Sequence, residues 1–291
     1  MFTRQFVPTE PRLSVRQVAQ RIGEISTLPH IAMRVLQIAN DPDSSVRDLK
    51  EIMEGDAALS TRVLRCVNSS AYGLRTKITN LQQAIAYLGM KQIRNLATTA
   101  SVSELFRIEE NIGPYRRTEL WRHLVSVGVC ARLLAMRMRF ANFEDVFLAG
   151  LLHDIGIILE DQHLHKEFVQ VMHSLEEGKT LGEVEVEHLG FDHTQLAEEV
   201  GRSWRFPEAV LAAVRYHHNS AACRDEHAGI VRCVEVANLI CSLKGISSVG
   251  INLVAFPKSA IVELALTKND VTVLANDLDR ELEANQRLFQ M

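Results

Sequence analysis

Apolar residues recur along this chain at spacings of three and four, while alternation of apolar with polar positions is almost absent, so the pattern predicts helices nearly throughout. Val15, Val18, Ile22 and Ile25 share one helical face. Pro29 stands where a first turn tolerates a missing N–H, and Asn40-Asp41-Pro42 ends the helix it opens. Ser45 caps a short helix carrying Val46, Leu49, Ile52 and Met53, with Gly55 as its stop. Asp56 caps the next, which carries Leu59, Val63, Leu64 and Val67. Asn68-Ser69-Ser70-Ala71-Tyr72-Gly73 interrupts the pattern with turn formers, and helical spacing resumes after Thr79 with Ile85, Leu88, Ile93 and Leu96.

Gly113-Pro114 is the expected internal boundary, because residues 1–112 hold a single histidine, His30, and residues 113–291 hold the other ten of eleven. Leu120, Leu124, Val127, Ala131, Leu134 and Met138 form one long face in the second region. Thr180 with Glu183 has capping-box spacing. Asp192 opens a helix through Trp204, and Pro207 opens another that ends near His217-His218. Residues 245–257 read as an uncharged loop, and Val271, Leu274, Leu278 and Leu282 as a final helix. The expected fold class is all-α: a helical N-terminal subdomain over 1–112 joined to a histidine-bearing helical core with C-terminal helices over 113–291.

Composition narrows the function classes. Apolar residues make up 47% and charged residues 23%, enough to build a core and too little charge for a disordered chain. With 32 basic against 36 acidic side chains, bulk charge gives no basis for holding a polyanion, and 6% aromatic residues make a poor stacking platform. Nucleic acid is therefore not an expected partner. No apolar stretch reaches the roughly 18 residues of a membrane helix, so no membrane association is expected. Five scattered cysteines without a C-x-x-C pair, and no secretory signature in the first residues, point to a reducing, cytoplasmic setting.

Candidate chemistry centres on Leu151-Leu152-His153-Asp154-Ile155-Gly156, a His-Asp pair inside apolar sequence. A buried carboxylate needs a partner or a metal ion, and His123, His193 and the tandem His217-His218 are available. Imidazole with carboxylate suits first-row divalent ions such as Fe, Mn or Zn, and the lack of thiolate ligands argues against a structural zinc. The alternative is a hydrogen-bonded pair that locks two helices. Glu119, four residues before His123, is a weaker candidate that would extend the set toward two ions; it otherwise reads as a solvated helix residue. His163, His165, His173, His188 and His227 lie among charged residues and read as surface groups.

These residues carry a family resemblance. The order His123, His153-Asp154 and then later histidines resembles the HD superfamily of metal-dependent phosphohydrolases. The chain is similar in particular to the HDOD family, HD-related output domains of bacterial signalling proteins. Leu28-Pro29-His30, Asp56-Ala57-Ala58-Leu59, the run from Arg62 to Gly73, Ala84 to Gly89, Leu120-Trp121-Arg122-His123, Gly190-Phe191-Asp192-His193 and Val236-Ala237-Asn238 carry the likeness over roughly residues 20–285. The resemblance implies an HD-type helical core and a metal set of His123, His153, Asp154, His193, His217 and His218. It also implies a closing aspartate on a late helix, where this chain has Asn238, a neutral and poorer ligand. The Gly-Tyr-Pro signature of the related cyclic-dinucleotide phosphodiesterases is replaced after His217-His218 by Asn219-Ser220-Ala221.

Two function classes follow. The first is a stand-alone signal-transduction module acting through a signalling protein partner, with metal or ligand occupancy as its input. The second is a metal-dependent phosphohydrolase acting on a nucleotide or phosphate ester, with Asp154 in the catalytic centre. A His-rich redox or oxygen sensor is a third, weaker idea.

Overall fold

The computed structural model of the chain describes residues 14–289 except 26–29, 41–42, 70–71, 73, 177, 225, 250–254 and 285. The Pro29 start, the Asp41-Pro42 stop, Ser70-Ala71, Gly73 and part of the 245–257 loop lie outside the described residues. The N-terminal helices are α1 (Val15–Ile25), α2 (His30–Asn40), α3 (Val46–Glu54), α4 (Ala57–Val67), α5 (Leu81–Leu88) and α6 (Met90–Val102). A minimal hairpin follows, β1 (Asn111–Ile112) antiparallel to β2 (Tyr115–Arg116), with Asn111 opposite Arg116 and Ile112 opposite Tyr115. Then come α7 (Arg117–Arg137), α8 (Phe143–Leu152), α9 (Ile155–His163), α10 (His165–His173), α11 (Leu181–Leu189), α12 (His193–Ser203) and α13 (Glu208–Tyr216). The remaining helices are α14 (Ala228–Leu243), α15 (Lys258–Glu263), α16 (Lys268–Ala284) and α17 (Gln286–Phe289). The chain is thus all-α, as its periodicity predicts.

Local chemistry sets the helix ends. Ser45 with Asp48, Thr180 with Glu183 and Asp192 with Gln195 form capping boxes, and the Asp56 side chain accepts from the Leu59 N–H. Val46, expected on the apolar face of α3, is exposed at its first position, while Leu49, Ile52 and Met53 are buried. Gly89, at φ 85°, divides the run after Thr79 into α5 and α6. Gly113, at φ 54°, sits in the turn between β1 and β2.

Helix α7 lies along α8 and α14, with Leu120, Leu124, Val127, Ala131 and Leu134 fully buried. Two glycines permit the α7–α8 approach: a methyl group on Gly150 would stand 2.8 Å from Gly128 Cα. Helices α9 and α13 pack on α12, and α1 covers α12 from the N-terminal side. In the N-terminal part, α2 and α4 rest on α6, and α6 reaches α8. That last contact is polar. Arg94, fully buried, donates to Asn95 Oδ1 at 3.0 Å and Asp145 Oδ1 at 2.9 Å. Asn95 Nδ2 donates to Glu144 Oε2 at 2.7 Å, and Arg132 Nε to Glu144 Oε1 at 2.9 Å. Helix α8 therefore starts on the N-terminal helices and ends at His153. No helix among the described residues is long and apolar enough to cross a membrane.

Candidate metal centre

Six helices deliver the site. His123 projects from the N-terminal third of α7, and His153-Asp154 form the junction between α8 and α9. His193 is the first residue of α12, directly after its cap Asp192. His217-His218 follow the end of α13, and Asn238 lies on α14. Gly156 lets α9 meet the start of α12: a methyl group there would stand 2.1 Å from the His193 carbonyl oxygen.

Asp154 is the hub. Its Oδ2 lies 3.5 Å from His123 Nε2 and 3.2 Å from His153 Nε2. Its Oδ1 lies 3.4 Å from His193 Nε2 and 3.0 Å from His217 Nε2. His218 Nε2 completes the second side, 3.1 Å from His193 Nε2 and 3.0 Å from His217 Nε2. The donor atoms thus fall into two groups sharing one carboxylate, His123 and His153 with Asp154, and His193, His217 and His218 with Asp154. His218 is the exposed member and the rest are buried.

The outer nitrogens explain the inward ones. His123 Nδ1 is 2.8 Å from Ile246 O, His153 Nδ1 2.7 Å from Gly150 O, and His217 Nδ1 3.0 Å from Val214 O. A carbonyl only accepts, so Nδ1 carries the proton in each ring, and in the neutral ring Nε2 turns a lone pair inward. His123 Nε2, His153 Nε2 and Asp154 Oδ1 are buried without a hydrogen-bond partner. Converging lone pairs beside a carboxylate are the donor arrangement that could hold a cation.

Electrostatics agree at His153, Asp154 and His218, while at His193 the carboxylates favour a second ring proton that a bound ion would displace. Burial holds the His153 pKa down to about 4, against the pull of Asp154, so the ring stays neutral. Burial works against the Asp154 carboxylate, but His153, His123 and His193 outweigh it and keep the carboxyl well below its usual range. Burial likewise opposes the His193 imidazolium, and Glu185 with Asp154 overcome it, holding that pKa well above the ordinary value. His218 shows part of its surface to the cleft, yet desolvation of its ring against the other imidazoles, with His217 next to it, pushes its pKa well down. With imidazoles, one shared carboxylate and no thiolate, the set fits a first-row divalent ion.

The surroundings differ from expectation in three places. Glu119 is half-exposed, 3.5 Å from Arg122, and is not among the converging ligands. His163 is half-buried, with Nε2 shut off from solvent, whereas His165 and His173 are exposed. Two carboxylates missed in the sequence stand behind His193. Glu185 Oε2 lies 2.7 Å from His193 Nδ1, and Glu160 is fully buried beside Glu185. Their signal was positional: Glu185 falls on the buried face of α11 with Leu181, Val184 and Leu189, and Glu160 on a helix otherwise almost wholly apolar up to that point.

Asn238, buried on α14, lines a cavity of about 20 Å³ over the centre with His123, Asp154 and Ser247. That volume holds about one water molecule. A cleft of about 500 Å³ opens beside His217 and His218 and is bordered by Glu183, Glu187, Asp192 and Glu235. No lysine or arginine lines either space among the described residues.

The HDOD domain family model matches residues 25–220. An HDOD domain protein of unknown function from Geobacter sulfurreducens has a solved structure that superposes with a TM-score of 0.76 at 27% identity, covering 94% of this chain and 96% of its own. A Treponema pallidum protein is 22% identical over 80% of this chain and 45% of its own length. Cyclic di-GMP phosphodiesterase CdgJ of Vibrio cholerae is 25% identical over 45% of this chain and 29% of its own. The chain spans less than half the length of these curated relatives. With its helical core, its His-Asp centre and a family match over more than half its length, the chain belongs to the HDOD domain family.

Proposed function

We propose that this chain is a signal-transduction module that acts through contacts with a protein partner and holds divalent metal in its His-Asp centre. One observation carries the metal reading: buried imidazole Nε2 atoms converge on Asp154 while their Nδ1 atoms are committed to outer acceptors. His123 and His153 with Asp154 would hold one ion, and His193, His217 and His218 with Asp154 a second. The regulatory reading is supported by the cavity over the centre, too small for a phosphate ester, and by the carboxylates of the adjoining cleft, which repel one. Asn238 supports it too, since an amide there removes a negative charge from the ligand set.

The test is elemental analysis of the full chain, purified without chelators or a histidine tag, beside His153→Ala. Near-stoichiometric Fe, Mn or Zn that vanishes in the variant is the expected result. Metal in neither protein would overturn the metal reading. Affinity capture from native lysate should enrich one partner, and capture that enriches none would count against the regulatory role.

The second reading is a metal-dependent phosphohydrolase, favoured by the cleft that reaches His217 and His218 and by the phosphodiesterase name of the Vibrio cholerae relative. A bound divalent ion supplies Lewis acidity and a water of lowered pKa. On this chain's side, Asp154 orients both halves, and the 500 Å³ cleft would seat the ester without a cation to balance its charge. Hydrolysis across a nucleotide and phosphodiester panel with Mn²⁺, Fe²⁺ or Mg²⁺ would favour this reading over the first.

A further inference from the structure

Behind the His193 side of the centre, Glu185 makes two contacts through one oxygen. Its Oε2 lies 2.7 Å from His193 Nδ1 and accepts from the His193 backbone N–H at 2.9 Å. The second contact satisfies an N–H that the first turn of α12 leaves without a helical partner. The first fixes the ring: with Nδ1–H donating to the carboxylate, Nε2 points at Asp154 Oδ1 and His218 Nε2. Glu185 itself is fully buried, with the carboxyl group of Glu160 beside it. Capping alone does not account for a carboxyl group here, because a neutral amide oxygen would accept the same N–H.

We propose that Glu185 is the positioning residue of the His193 half of the centre, setting the ring's tautomer and direction and strengthening metal binding there through its charge. The inference rests on the metal-binding reading of the centre. Partners of this kind behind a ligating histidine change metal affinity by roughly 10- to 100-fold. The effect is local, since Glu185 touches the half built on His193, His217 and His218, while His123 and His153 are held by the backbone oxygens of Ile246 and Gly150.

The experiment is a Co²⁺ titration of the metal-free full chain, followed by visible absorption, for wild type and Glu185→Gln. His217→Ala and His123→Ala assign the two binding events. Glu185→Gln should weaken the event that His217→Ala removes by roughly 10- to 100-fold and leave the event that His123→Ala removes unchanged. Weakening of both events alike, or of neither, would overturn the role of Glu185 while the metal centre stands. Wild type that binds no Co²⁺ would overturn both readings. Should Glu185→Gln not fold, ¹⁵N NMR of metal-free wild type decides the matter: His193 Nδ1 should carry a hydrogen-bonded proton, and an unprotonated Nδ1 would overturn the proposal.

Discussion

Single residues carry much of the chemistry, and Asn238 is the most informative of them. Its buried amide lines the cavity that also holds His123 and Asp154, so a carboxylate there would face the same space. Asn238→Asp should tighten metal binding in the His123–His153 half by about tenfold or more, measured by chelator competition, because it adds a charged oxygen ligand. Unchanged affinity would mean that position 238 does not reach the ion. Glu160 offers a second case. Burial and the adjacent Glu185 raise its pKa well above the ordinary 4.5, so the folded chain keeps a proton that the unfolded chain releases above that pH. Its contribution to stability is therefore whole below pH 4.5 and is lost as pH rises. Glu160→Gln, a neutral mimic, should gain stability relative to wild type in urea unfolding at pH 8 and lose most of that gain at pH 4. Equal gains at both values would show that Glu160 is ionised in the fold. Asn238 was legible through the family resemblance, but Glu160 was not, since an isolated Glu in the sequence looks the same whether α9 turns it inward or outward.

Elements were more legible, because their starts and stops are local. Ser45, Asp56, Thr180 and Asp192 cap the helices that their spacing predicts, each satisfying N–H groups within a single turn. The two-residue strands of the hairpin are too short to leave an alternation signal. How close two helices come was also hidden. Gly156 reads as an ordinary small residue after His153-Asp154, yet its hydrogen is what allows α9 to lie against the start of α12, where any larger side chain would run into the His193 carbonyl oxygen. Gly156→Ala should therefore push His193 away, destabilise the fold by about 1–3 kcal/mol or more, and release the ion of the His193 half. Thermal unfolding together with metal analysis checks this, and a variant with wild-type melting and metal content would contradict it.

At the scale of the whole molecule, the centre ties distant parts of the chain together: His123 and His217-His218 come from helices far apart in sequence, all meeting at Asp154. An ion that binds only the folded chain stabilises it by about 2.7 kcal/mol at a free concentration one hundred times its Kd. Stripping with EDTA should accordingly lower the melting temperature while leaving the helical circular dichroism at room temperature unchanged, and added Mn²⁺ should restore it. An identical melting curve with and without EDTA would show that no bound ion supports the fold. By itself the sequence determined the helical class, the caps, the candidate His-Asp set and the family, because periodicity, capping and motif spacing are properties of neighbouring residues. Only the tertiary structure decided that Glu185 and Glu160, rather than Glu119, stand beside the centre and which ring nitrogens face inward. Those outcomes depend on how helices are rotated and brought together by contacts such as Gly128 with Gly150, and that register is set by packing between segments remote in sequence.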